Sequence, residues 1–123
     1  MVLEFQKLVE VVRLRLKGNM LKDLDNFNKF CEDRKSFSYK TFGDSSARSC
    51  EAPLLHLRDE ISELIENPND EMEWADCWLL LLDAACRKGY TVDDLVEFGK
   101  RKLEINKKRE WVKQPNGVYK HKK

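Results

Sequence analysis

Seven acidic residues lie between His56 and Trp74 in "HLRDEISELIENPNDEMEW", and three of them, with Asp76 just beyond, are spaced for joint chemistry. Glu60 and Glu63 stand three apart, so on a helix both project from one side; Glu73 and Asp76 repeat that spacing a short turn later. Four carboxylates brought into one partly dry groove repel each other unless they take up protons or bind cations. Hard divalent ions with oxygen ligands meet that need, and Mg²⁺ characteristically combines a few carboxylates with waters and substrate phosphates. The plainer reading stays open beside this one, because a highly charged helix carries such acidic pairs on its solvated face by chance.

A cationic counterpart follows in "KRKLEINKKRE". Lys102, Asn106 and Arg109 fall at i, i+4 and i+7, one stripe of a helix. Two cations and an amide suit a triphosphate, with Arg109 able to grip two phosphate oxygens at once; a solvated basic face is the alternative. His56, four residues before Glu60, is either a phosphate donor or a surface histidine. Trp74 is a stacking candidate together with Phe37, Tyr39 and Phe42, whereas Trp78 reads as core. Asp59 and Asp83 are left undecided, the latter between a ligand, a sugar contact and a structural acid.

The elements that must position these residues read as helices. Leu3, Phe5, Leu8, Val9, Val12 and Leu16 form an apolar face that Gly18 is suited to end, and a second helix runs over about 20–33. Residues 36–52 are Ser-rich and without sustained period, so they are expected to form a long loop. Pro53 fits the first turn of a third helix with the seam Leu54, Leu57, Ile61, Leu64 and Ile65. "NPND" closes it, and Asp70 is suited to N-cap a fourth helix over about 70–88. Gly89 ends that helix. Thr91 and Asp94 open a fifth over about 91–111, before a basic tail, 112–123, with a Pro-Asn-Gly turn. No strand signal stands out. The expectation is one all-α domain over 1–123: N-terminal helices (1–35), the loop, then the helices carrying the acidic and basic residues (53–111). The run "WLLLLDAAC" is apolar on every side, which a domain this small cannot cover alone, so a homodimer or homotetramer is expected.

Composition removes several classes. Lys and Arg total 23 against 22 Asp and Glu, a net charge of +1, which gives no sequence-wide grip on nucleic acid or anionic membrane. The N-terminal residues are too often charged for a signal peptide, and no run approaches the roughly 20 apolar residues of a membrane span. The four cysteines contain no C-x-x-C pair and read as free thiols in a reducing cytoplasm.

Taken together, "TFG" (Thr41 to Gly43), "HLRDEISELIENPND", "EWADCWLLLLDAACRKG", "KLEINKKREW" and His121 resemble the MazG-like all-α nucleoside triphosphate pyrophosphohydrolases. The nearer likeness is to their phage-associated dATP/dGTP diphosphohydrolase branch, over about 36–121. The resemblance implies hydrolysis of a nucleoside triphosphate, dGTP or dATP, to monophosphate and pyrophosphate. It implies Glu60, Glu63, Glu73 and Asp76 as Mg²⁺ or Mn²⁺ ligands, with Glu60 and Glu63 catalytic. His56, Lys102, Asn106, Arg109 and Trp74 are then expected on the substrate, in the cytoplasm of a bacterial or phage-infected cell. The rival is a non-catalytic helical interaction protein that retains the fold.

Overall fold

The protein is described by a computed structural model covering residues 2–43 and 49–123, with side chains from residue 4 onward. Four helices precede a small hairpin: α1 (Val2–Phe42), α2 (Glu51–Glu66), α3 (Glu71–Lys88), α4 (Val92–Lys107), then β1 (Trp111–Lys113) and β2 (Tyr119–His121). The all-α class stands, with four helices in place of five. Leu3 of the first expected stripe lies outside the described side chains, and residues 44–48 of the expected loop lie outside the described residues.

The first two expected helices are one. Gly18 sits inside α1 with open space around its Cα, and the helix passes through it. A helical glycine costs only about 1 kcal/mol relative to alanine, too little to interrupt a rod with good helix formers on both sides. Nor does α1 end at the Ser-rich segment. It runs on to Phe42, where Gly43, at φ 90°, donates its N–H to Tyr39 O at 3.0 Å. The periodicity is lost there because the inward face turns polar. Ser38, 7% exposed, donates its hydroxyl to Asp83 Oδ1 on α3 at 2.6 Å.

Asp83 gathers the α1–α3 junction. Arg87 Nη2 lies 2.8 Å from its Oδ2 and Arg34 Nη1 lies 3.7 Å from its Oδ1, with all three side chains largely buried. Arg87 Nη1 also donates to Ser49 O at 3.2 Å, fastening the segment before α2. Asp83 is thus held by side chains of its own chain. Arg87→Ala is expected to cost about 2 kcal/mol, because it strips a charged hydrogen-bond partner from a buried carboxylate. Urea denaturation measures this, and a loss below about 0.5 kcal/mol would contradict it.

α2 and α3 form the central hairpin. Pro53 is buried in the first turn of α2, where its missing N–H is harmless. At the far end Asn67 N and Nδ2 both donate to Glu63 O, at 2.9 and 3.3 Å. Asp70 then caps α3, accepting from Met72 N at 2.9 Å, and Trp74 Nε1 donates to Pro68 O across the turn at 2.9 Å. Gly89, at φ 97°, closes α3, and Thr91 with Asp94 makes the reciprocal capping box that starts α4.

α4 stops at Lys107, short of the expected 111. Trp111 belongs instead to the hairpin, and its Nε1 returns to Asn106 O at 3.0 Å, satisfying a carbonyl of the final turn. The strands pair antiparallel, with Trp111 opposite His121, about a turn closed by Gly117 N on Gln114 O at 2.9 Å. These short strands were missed because every residue in them is exposed. Without a buried face there is no alternation to read.

Little of this chain is covered by itself. Leu82 and Ala84 form its buried apolar core among the described residues, and Phe30 stacks on Trp78 at 5.2 Å. The accessible surface is 10603 Å², where a compact chain of this length exposes roughly 7,000 Å². Trp78, Leu81 and the apolar residues along the N-terminal half of α1 lie open.

Candidate active site

The short α2–α3 turn brings the acidic pairs face to face. Glu60, Glu73 and Asp76 each offer a carboxylate oxygen within 4.8 Å of the others. Glu63 lies outside that trio but interacts with two of its members. The Glu60 carboxylate, placed to accept a hydrogen bond from protonated Glu63, raises the Glu63 pKa above 4.5, and the charge of Glu73 adds to the effect. Glu73 is raised chiefly by burial and then by the charges of Glu60, Asp70 and Asp76. Its Oε2 is buried without a hydrogen-bond donor among the described residues, apart from the acid form of Glu63 itself. Cys77, beside them on α3, is pushed up mainly by burial and further by the same carboxylates.

Clustered carboxylates with a buried oxygen lacking a donor are electrostatically suited to a cation. Oxygen-only donors in this number fit a hard divalent ion such as Mg²⁺ or Mn²⁺. His56 stands at the rim, with Nε2 3.1 Å from Glu60 Oε1.

Glu60 and Asp76 also line one end of a cavity of about 250 Å³ formed by α1, α2 and α3. Its walls include the apolar Phe37, Phe42, Leu79 and Leu80 and the polar Arg34, Ser38 and Asp83. On α3, Asp76, Leu79, Leu80 and Asp83 fall at i, i+3, i+4 and i+7, so one helical stripe runs from the carboxylates along the cavity. Phe37 and Phe42, expected on a loop, reach it from the end of α1, with ring centroids 6.0 Å apart.

Other expected site residues lie elsewhere. Trp74 is exposed and tied to the turn; it does not line the cavity. Lys102 and Asn106 are on α4 and are not among the residues lining the cavity, and Arg109 lies past the end of that helix, which breaks the three-residue stripe. Asn106 Oδ1 is buried without a donor among the described residues. Asp59 is exposed and apart from the trio. Arg34 and Ser38 were missed altogether. Their only signal is register, since they extend the Leu24, Phe27, Cys31 stripe of α1 in steps of three and four.

Residues 30–122 match the dATP/dGTP pyrophosphohydrolase family. The chain belongs to that family. The match begins well inside α1, so its first 29 residues lie outside the family pattern. Among solved structures, a MazG-like pyrophosphohydrolase of cyanophage S-2L, bound to dGDP and three catalytic Mn²⁺ ions per active site, superposes with a TM-score of 0.65. It is 29% identical, and the likeness covers 78% of this chain and 96% of that one. A dATP/dGTP diphosphohydrolase of the same cyanophage is 37% identical over 70 residues, 55% of this chain. The Eaa protein of Salmonella phage P22 is 39% identical over 85 residues, 69% of this chain. The matched stretches span 64% of the cyanophage enzyme and 26% of the P22 protein.

Proposed function

We propose that this protein hydrolyses a purine deoxynucleoside triphosphate, dGTP or dATP, to the monophosphate and pyrophosphate with Mg²⁺ or Mn²⁺ bound. The observation that carries the reading is the Glu60–Glu73–Asp76 cluster, oxygens within 4.8 Å, opening onto a cavity with aromatic and apolar walls. Acidic ligands at one end and apolar walls at the other match a molecule with a phosphate tail and a flat base. Family membership and the dGDP-bound neighbour point the same way.

In this reading Glu60, Glu63, Glu73 and Asp76 hold the cations, which supply charge to offset the triphosphate and acidity to the attacking water. Glu60 accepts the proton of that water as its oxygen bonds to the α-phosphorus and the bond to the α–β bridging oxygen breaks. Pyrophosphate departs with the bridging oxygen. His56, hydrogen-bonded to Glu60, keeps that carboxylate oriented. Lys102, Asn106 and Arg109 are assigned to the phosphates. None of the three lines the cavity of its own chain, and in this reading they reach the site from a second copy.

A homodimer or homotetramer also covers what the single chain leaves open, including Trp78 and Leu81 on α3 and Leu103 and Ile105 on α4. Sedimentation is expected to give two or four chain masses, and Leu81→Glu to shift the population toward monomer; a wild-type monomer would contradict this part of the proposal. The place of action proposed is the cytoplasm of a bacterial or phage-infected cell. Among the described residues no helix is long and apolar enough to cross a membrane. The deciding test is incubation with each NTP and dNTP plus Mg²⁺ or Mn²⁺, with products resolved by chromatography. Monophosphate and pyrophosphate from a purine dNTP are expected; no turnover of any nucleotide would overturn the assignment.

A further inference from the structure

The cavity wall beyond the Glu60–Asp76 end includes Arg34, a largely buried arginine with one N–H unmatched. Asp83 already accepts from Ser38 at 2.6 Å and pairs with Arg87 at 2.8 Å. Arg34 approaches it only to 3.7 Å, beyond a good hydrogen bond. The Arg34 side chain is 11% exposed, and its Nε is buried with no acceptor among the described residues. The Nε–H has thus lost its hydration without a replacement, and the Nη1 contact with Asp83 is long.

Position along α3 tells what reaches Arg34. Asp83 lies two helical turns beyond Asp76, about 10 Å along the axis. A nucleotide with its phosphates at Glu60 and Asp76 therefore extends its base toward Asp83 and Arg34, between Phe37, Phe42, Leu79 and Leu80. Purines differ at the edge that meets a donor there. Guanine presents two acceptors, O6 and N7; adenine presents N7 beside an amino group that is itself a donor. Arginine has donors only, so adenine sets N–H against N–H.

We propose that Arg34 is a specificity-determining residue that selects a 6-oxopurine, guanine or hypoxanthine, over adenine by donating to O6 and N7. This rests on the nucleotide reading above and adds the direction of base selection. Asp83 and Arg87 hold the surrounding charges in place, and Ser38 occupies the Asp83 oxygen that would otherwise draw Arg34 closer.

Equilibrium binding of dGMP, dIMP and dAMP with Mn²⁺ tests the inference without turnover. In the wild type, dGMP and dIMP are expected to bind roughly 10-fold tighter than dAMP, the scale of one bidentate base contact. Shared preference for dIMP assigns the effect to O6 and N7, because hypoxanthine lacks the guanine amino group. Arg34→Met should weaken dGMP and dIMP to the level of dAMP while leaving dAMP nearly unchanged. Arg34→Gln should tilt the preference toward dAMP, since a glutamine amide can pair with adenine N6 and N7. Circular dichroism confirms that each variant folds. Equal wild-type affinity for dGMP and dAMP would overturn this inference and leave the nucleotide reading standing. Equal weakening of all three ligands in Arg34→Met would reduce Arg34 to a structural role. Wild-type protein that binds none of the three would overturn this inference, while turnover of a purine dNTP decides the nucleotide reading separately.

Discussion

Replacing Asp76 by asparagine is expected to lower pyrophosphate release by about 10³-fold, the equivalent of roughly 4 kcal/mol of transition-state stabilisation. The change is nearly isosteric and removes one charge from a group of carboxylates that repel one another, so the helical content should be kept. Asp76 is the exposed member of the carboxylate cluster. Glu60→Gln should have an effect of the same order for two reasons at once. It removes an oxygen ligand and the group assigned to take the proton from water. Coupled phosphate release from the product pyrophosphate measures both variants, with circular dichroism as the control. Activity within tenfold of wild type in Asp76→Asn would remove the carboxylate cluster from the chemistry.

The second large effect is thermal. Divalent ion at 1,000 times its dissociation constant stabilises the folded state by about 4 kcal/mol, which for a chain of this length raises Tm by on the order of 10–15 °C. The pH dependence carries a definite sign. Glu63 and Glu73 have folded-state pKa values above the ordinary 4.5, because Glu60 lies against the first and burial disfavours the charge of the second. Just above pH 4.5 the folded chain therefore holds more protons than the unfolded chain. Without metal, this contribution to stability is fully present below pH 4.5 and is lost as pH rises through the folded-state values. Cations compete with those protons, so stabilisation by Mn²⁺ should grow over the same rise in pH. Melting curves with EDTA or Mn²⁺ at several pH values test this. A Tm shift independent of pH, or one that survives in Glu60→Gln, would contradict a site built from these carboxylates.

How much the sequence disclosed depended on what each signal measures. Asp70, Gly89 and the Thr91–Asp94 box were legible because capping is local chemistry carried by one or two side chains. The meeting of Glu60, Glu73 and Asp76 was legible because a four-residue connection leaves α2 and α3 little choice but to pack antiparallel. The continuation of α1 through Gly18 and the Ser-rich segment was not. Gly18 suits a stop by its type alone, yet the helix on either side outweighs it, and the burial of Ser38 depends on Asp83, 45 residues away. Arg34 was hidden for the same reason. A charged residue on an inward face removes the hydropathy contrast that marks a face at all. Arg109 differs: its place on the stripe assumes a helix running to about 111, whereas α4 ends at Lys107.

The tight connection between α2 and α3 has an electrostatic consequence beyond proximity. It sets the carbonyl end of one helix beside the amide end of the next, about half an elementary charge of each sign. Glu63 lies in the last turn of α2 and Glu73 in the first turn of α3. The carboxylates therefore span a small built-in field, negative on the α2 side and positive on the α3 side. A cation gains most against α2, and an anionic phosphate oxygen gains most against α3. Two oppositely charged parts of one bound species are thus sorted to opposite sides before any side chain moves.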